Sequence, residues 1–161
     1  MTHAAQGNNS IESWPVAVIM RRVKLDNPYV DVAWSAHEIV HDGFGEAAMS
    51  CVIVESERER QVLFRGFNLK LYPHEAGGYH MNITSPEPKV FVLWRMHDDE
   101  ARPALVTVSY DEGARWADSG EQVDGVVLPR ELLAWMGRFV EAHYKPEPEL
   151  PRRRKGRNRA Q

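Results

Sequence analysis

A chain of 161 residues, 43% hydrophobic and 27% charged, has the length for one domain with its own core and the composition of an ordinary globular protein. Seven basic residues from Lys145 onward stand against Glu147 and Glu149, a net of +5, so the overall −3 leaves −8 on residues 1–144. No apolar run reaches the length of a membrane span, and the single cysteine, Cys51, rules out an internal disulfide and a cysteine-only metal cage.

Residues 1–13 are polar, without the basic start and hydrophobic stretch of a secretory signal, and read as a disordered leader; the expected location is the cytoplasm. Residues 14–24 follow as a strand, with Val16, Val18 and Met20 alternating against Ala17, Ile19 and Arg21. Both sides are apolar at its start, so it is expected inside the sheet. Leu25-Asp26-Asn27-Pro28 then turns the chain into a second strand over residues 30–40, its antiparallel hairpin partner.

That second strand contains His37-Glu38-Ile39-Val40-His41, the HExxH signature of zinc hydrolases. The signature needs a helix, where residues four apart share a face, two imidazoles hold one zinc and the Glu polarises a bound water. Here Val30, Val32, Trp34, Ala36 and Val40 recur at period two, interrupted only by Glu38, and Asp42-Gly43 closes the segment. On a strand His37 and His41 would lie about 13 Å apart, beyond joint ligation. The continuation toward a third histidine also fails, because Phe44 and Ala47 occupy the positions that would need Gly and His. A strand is therefore expected, and no metal or other cofactor. The zinc hydrolase stands as an alternative, with His37 and His41 as ligands, Glu38 as base, and Glu75, His74 or His80 as the third ligand.

Residues 47–55 read as a third strand holding Cys51 as a buried, inert thiol. Residues 56–61 are a charged connection, and residues 67–71 alternate as a half-exposed strand. Two short helices are expected after Leu71 and after Val108, where Glu75 precedes Tyr79 and Glu112 precedes Trp116 by four residues. Acidic residues in a first helical turn complement the helix dipole. Residues 90–96 and 104–109 are further strands, separated by an exposed turn over residues 97–103. His97, Asp98 and Asp99, like His74, Glu75 and His80, lack tight ligand spacing and read as exposed loop residues.

The strongest helix runs from Pro129 to Tyr144. Pro129 suits a first helical position, and Leu132, Trp135, Met136, Phe139 and Val140 form one apolar face expected to cover the sheet. Gly137 costs the helix about 1 kcal/mol relative to Ala, which implies close backbone packing there. The sum is a single α+β domain over residues 14–144: one twisted, mostly antiparallel sheet of six or seven strands, strongly bent in the manner of pleckstrin-homology-like domains, covered by one C-terminal amphipathic helix.

Residues 145–161 read as a disordered basic tail carrying Arg152, Arg153, Arg154, Lys155, Arg157 and Arg159. Those six residues are the candidate partner-binding set. They suit an acidic protein surface; phosphate neutralisation on a nucleic acid is the second reading, against which the −8 body and the lack of interleaved aromatics weigh.

One further signal lies in the order of the whole set. Trp14-Pro15-Val16-Ala17-Val18-Ile19-Met20-Arg21-Arg22, Leu25-Asp26-Asn27-Pro28 and Trp34 are followed by Glu75, Tyr79 and Asn82. Val106-Thr107-Val108-Ser109 with Glu112, Ala114 and Trp116 comes next, then Leu128-Pro129, Trp135, Phe139, Val140, His143 and the basic close. This resembles an uncharacterised bacterial family, a domain of unknown function often encoded beside molybdenum-dependent formate dehydrogenase genes. Tyr29 and Leu150 depart from it, standing where aromatics of the family pattern (Trp for the first) are expected. The resemblance brings no catalytic residues. It implies a cytoplasmic accessory role near a molybdenum or iron–sulfur oxidoreductase. Together with the +5 tail on a −8 body and the lack of a convergent catalytic set, the expectation is a non-catalytic accessory or adaptor protein with a protein partner, a molybdoenzyme subunit or maturation factor.

Overall fold

A computed structural model describes residues 10–146. Seven strands and three α-helices follow in the order β1 (Glu12–Lys24), β2 (Val32–His41), β3 (Ser50–Glu55), β4 (Glu59–Leu71), α1 (Ala76–Ile83), β5 (Lys89–His97), β6 (Glu100–Thr107), α2 (Tyr110–Asp118), β7 (Gln122–Val127) and α3 (Arg130–His143). A 3₁₀ turn, Pro73–Glu75, leads into α1. The candidate tail residues Arg152, Arg153, Arg154, Lys155, Arg157 and Arg159 lie outside the described residues, as does most of the leader.

The strands form two antiparallel sheets rather than the expected single one, in the orders β2-β1-β4-β3 and β6-β5-β7. Three helices accompany them, so the picture of one bent sheet under one helix is corrected. The physical reason is that each sheet carries an apolar row that needs cover. Val16, Val18 and Met20 of β1 share one core with Val90, Val92 and Trp94 of β5 and Val126 of β7. Two sheets facing each other bury these alternating rows without leaving a sheet face to a lone helix.

Within the first sheet β1 is central, as its two apolar sides predict. Val16, Val18 and Met20 face the main core, while Ala17 and Ile19 join Leu63 in a small second cluster on the other face. The β1–β2 hairpin also forms, with one irregularity: Ile19 pairs Glu38 but Met20 pairs Ala36, leaving His37 as the extra residue of a β-bulge. The bulge reverses the alternation. Trp34 and Ala36 pack on the main core before it, and Ile39 enters that core after it, while Val40 turns to the second cluster. The uniform even-numbered apolar face is therefore corrected, and Glu38 interrupts the pattern because it lies beyond the bulge on the outer side.

Two boundaries differ for reasons of pairing. Residues 56–61 are not a connection: β4 begins at Glu59, and the Ser56 N–H donates to the Glu59 carbonyl (2.8 Å) to close a tight β3–β4 hairpin. Charged residues can occupy this stretch because part of its surface is wet. Likewise the turn over residues 97–103 shrinks to Asp98 and Asp99, both left-handed (φ 49° and 65°), with His97 already paired to Glu100. This is the geometry of a two-residue primed hairpin. Residues 122–127, given no element from sequence, form β7 beside β5.

The final helix holds its expected face: Leu132, Trp135, Met136, Phe139 and Val140 are all buried. Pro129 sits at the N-cap, one residue before the first turn. Trp135 packs on Trp14 with ring centroids 5.4 Å apart and donates its Nε1–H to Glu12 (3.2 Å), while Phe139 meets the edge of Tyr79. Full burial of each such side chain contributes about 1.5–3 kcal/mol. The close packing expected at Gly137 is absent; a Cβ there would meet nothing within 4 Å.

Candidate functional site

Histidines 37 and 41 both lie on β2 and are exposed. An extended strand separates them by about 13 Å, whereas zinc takes each nitrogen at about 2.0–2.1 Å. His41 instead sets its ring edge-on to Trp14, centroids 6.0 Å apart. Among the described residues no three His, Cys, Asp or Glu side chains group as a metal ion would require. Cys51 is exposed, which corrects the buried thiol: β3 is an outer strand, and a strand-like run does not say which strand ends at the edge.

The chain folds its polar residues together elsewhere, where α1 crosses α2 at the end of the second sheet. Ser109 caps α2, its Oγ accepting the Glu112 N–H (3.3 Å), and Asp111 and Glu112 fill the first turn. Gly78 of α1 lets the two helices approach, since a Cβ there would stand 2.7 Å from Ser109 Oγ. Asn82 is 1% exposed and fully engaged. Its Nδ2 donates to the Lys89 (2.7 Å) and Val108 (2.8 Å) carbonyls, and its Oδ1 accepts the Lys89 N–H (2.9 Å). One side chain thus fastens α1 to the start of β5 and the end of β6.

Tyr79 performs the same task toward β4. Its hydroxyl accepts the Tyr72 N–H (2.9 Å) and lies 3.3 Å from both the Lys70 carbonyl and Glu75 Oε2. Burial foremost, and the nearby Glu75 charge after it, push the phenol well above its ordinary range, so it stays protonated and acts as a donor. Glu112 is also displaced upward, first by burial and then by Glu75, against the opposing pull of Arg115 and the Thr107 hydroxyl. The two glutamates that occupy equivalent places in the sequence echo are therefore electrostatic neighbours. Glu112 therefore holds its proton to higher pH than an ordinary carboxylate, while Tyr79 and Asn82 spend their polar atoms on backbone.

A groove runs beside this junction. One hollow of about 410 Å³ is lined by Asn82, Ser85, Glu87, Lys89, Phe91 and Tyr110, and a second of about 230 Å³ continues it past Gly113 and Gly125. Phe91 and Tyr110, edge to face at 6.0 Å, form its apolar wall, and Lys89 supplies an ammonium 3.9 Å from Glu87. Sequence reasoning missed this groove because its residues come from four separate elements. The echo of Glu75 and Glu112 was the one signal that pointed near it.

A third hollow, about 590 Å³, lies where α3 ends. His74, Gly77, His143, Tyr144, Lys145 and Pro146 line it, and His80 stacks on Tyr144 with centroids 4.2 Å apart. Of the residues singled out in sequence as loop residues, His74 thus lines this hollow from the 3₁₀ turn, together with His143, and His80 lies within α1 against Tyr144.

No helix among the described residues is long and apolar enough to cross a membrane. Neither the curated proteins nor the solved structures contain a match to this chain. The family profile described as "Protein of unknown function (DUF3305)" matches residues 15–155, nearly the full span over which the ordered set from Trp14 to the basic close was read, and the chain belongs to that family.

Proposed function

We propose that this protein is a non-catalytic accessory or adaptor, its folded body engaging one protein and its basic tail engaging an acidic surface. The observation that carries the reading is the division of charge, +5 from Lys145 onward against −8 before it. A tail of this kind speeds encounter with an anionic partner and loses its effect as salt rises. The first of these cations, Lys145, lines the hollow where α3 ends, so the basic run starts at the edge of the folded body. Polar groups at the α1–α2 junction are consumed in holding secondary structure together, which suits a scaffold.

The resemblance to a family often encoded beside molybdenum-dependent formate dehydrogenase genes directs the search to a subunit or maturation factor of such an enzyme; gene neighbourhood is an association and not a mechanism. The test is affinity capture from native cells with the full chain and with a chain ending at Pro146. Recovery of a molybdoenzyme component, weakened by truncation and by salt, is the expected result. Recovery of RNA or DNA lost on the same truncation would replace the protein partner with a nucleic acid. An unchanged set of partners would reduce the tail to a solubilising end.

A further inference from the structure

The outer strands of the two sheets are not equivalent. β2 runs beside β7, where the Ala36 N–H donates to Asp124 Oδ2 (2.9 Å), and β6 runs beside β4, where Arg60 lies 3.9 Å from Glu100. β3 pairs with β4 on one side, and among the described residues no strand pairs with its other side. Its outer backbone groups form an open edge. Natural sheets blunt such edges with charge, proline or cover. Ser50-Cys51-Val52-Ile53-Val54 contains neither charge nor proline, and Met49, Val52 and Ile53 are 62%, 43% and 47% exposed. The one carboxylate, Glu55, is already matched by Arg60 at 2.7 Å.

We propose that this edge is the self-association surface of the protein and that its occupant is β3 of a second copy. Charge selects the occupant. An acidic or basic segment would find no free counter-charge along residues 50–54, whereas an uncharged apolar strand needs none, and the chain presents one such strand itself. A bulge at Ile53 leaves Ser50–Val52 as the regular part of the edge. Antiparallel pairing of that part about a two-fold axis near Cys51 sets Ser50 opposite Val52 of the second copy and Met49 opposite Ile53. The two Glu55 carboxylates then stand about 26 Å apart, more than two Debye lengths at physiological salt. The outcome is an isologous dimer with one continuous eight-stranded sheet. Strand pairing alone falls short of the roughly 1,200 Å² of a stable interface. A hollow of about 290 Å³ beneath the edge, lined by Met49, Ser50, Phe64, Phe67, Glu100 and Arg102, supplies further apolar surface to cover.

The test uses the full chain and its single thiol. Sedimentation across the micromolar range is expected to show a reversible dimer. A short bismaleimide should link Cys51 of one copy to Cys51 of the other, and amide exchange over Ser50–Glu55 should slow as concentration rises. Val52→Lys places two ammonium groups in the seam and is expected to weaken dimerisation by at least about tenfold, with loss of the cross-link and an unchanged circular dichroism spectrum. Val52→Thr should keep the dimer. Val127→Lys, which charges another exposed valine (79% exposed) on β7, should keep it as well. A monomer throughout the range overturns the proposal. So does a dimer indifferent to Val52→Lys, equal loss in Val127→Lys, or unchanged exchange in Ser50–Glu55.

Discussion

The two flanks of the four-stranded sheet are built from opposite materials and finish in opposite places. β2 carries two histidines and a glutamate within ten residues, yet its Ile39 is 3% exposed and its backbone is held to the second sheet. β3 carries Cys, Val, Ile and Val in succession, yet none of its residues is buried. Composition does not decide which strand is covered. Cover comes from the second sheet, which reaches β2 through β7 and stops at β4 on the other side. The tied flank is held by one carboxylate, since Asp124 also accepts the Trp94 Nε1–H (2.8 Å). The open flank is held by one guanidinium: Arg65 meets Asp42 at 2.8 Å and donates to the Ala47 and Gly45 carbonyls, pinning the connection between β2 and β3.

Breaking the tied flank should have the largest effect. Asp124→Ala removes the acceptor of two hydrogen bonds and strands two donors, one of them on a Trp that is 7% exposed. Urea titration should register a loss of about 2–4 kcal/mol, with Asp124→Asn losing less because it keeps one oxygen. A loss below about 1 kcal/mol would show that water replaces the staple.

Breaking the open flank should do less. Arg65→Ala should lower stability by about 2 kcal/mol, and it carries a pH signature. Burial opposes ionisation of Asp42, but the hydrogen bonds from Arg65 and the Gly66 N–H outweigh it and hold that carboxyl below its ordinary range. A depressed folded pKa gives stability that is present above the ordinary carboxylate value and lost as pH falls through the folded one. Acid titration of stability should therefore be shallower in Arg65→Ala than in the parent chain, and equal slopes would detach Asp42 from Arg65.

The helix that closes the core offers a gain. With no atom beyond the helix's own backbone within 4 Å of a built Cβ at Gly137, Gly137→Ala should raise the thermal midpoint by an amount matching about 1 kcal/mol. A fall would reveal backbone packing that the geometry lacks. Smaller still, Val52→Lys should leave monomer stability within about 0.5 kcal/mol, because the site is solvent-facing. A larger loss would mean that the open flank is less open than its exposure indicates.

The finest effect is a slope. Glu112 has a folded pKa raised above its ordinary 4.5 by burial and by Glu75. Its contribution is fully present below that ordinary value and is lost as pH rises through the folded one. Glu112→Gln should consequently become more stable relative to the parent as pH rises from 4 to 7, read from paired denaturation curves. A constant difference over that range would show that Glu112 titrates normally.

Local patterning alone determined much of this molecule. Alternation in β1 announced a central strand, and period two around His37 and His41 announced β2 in place of a zinc-binding helix. Spacing of three and four picked out all five buried residues of α3, because these patterns are the geometric repeat of the element itself. The ordered residues from Trp14 to the basic close pointed to an uncharacterised family before any fold was known. Tertiary structure decided what depends on cover and on meeting in space. A bulge at His37 swapped the faces of β2, and a second sheet took the place of a lone helix over the core. The same placement exposed Cys51, which an apolar run had suggested was buried. Glu75 and Tyr79 come within electrostatic reach of Glu112, and Asn82 reaches the Val108 carbonyl, only because α1 packs closely on Ser109 at Gly78. No repeat within the chain encodes a contact between residues thirty positions apart; the packing of the two helices on the sheet does.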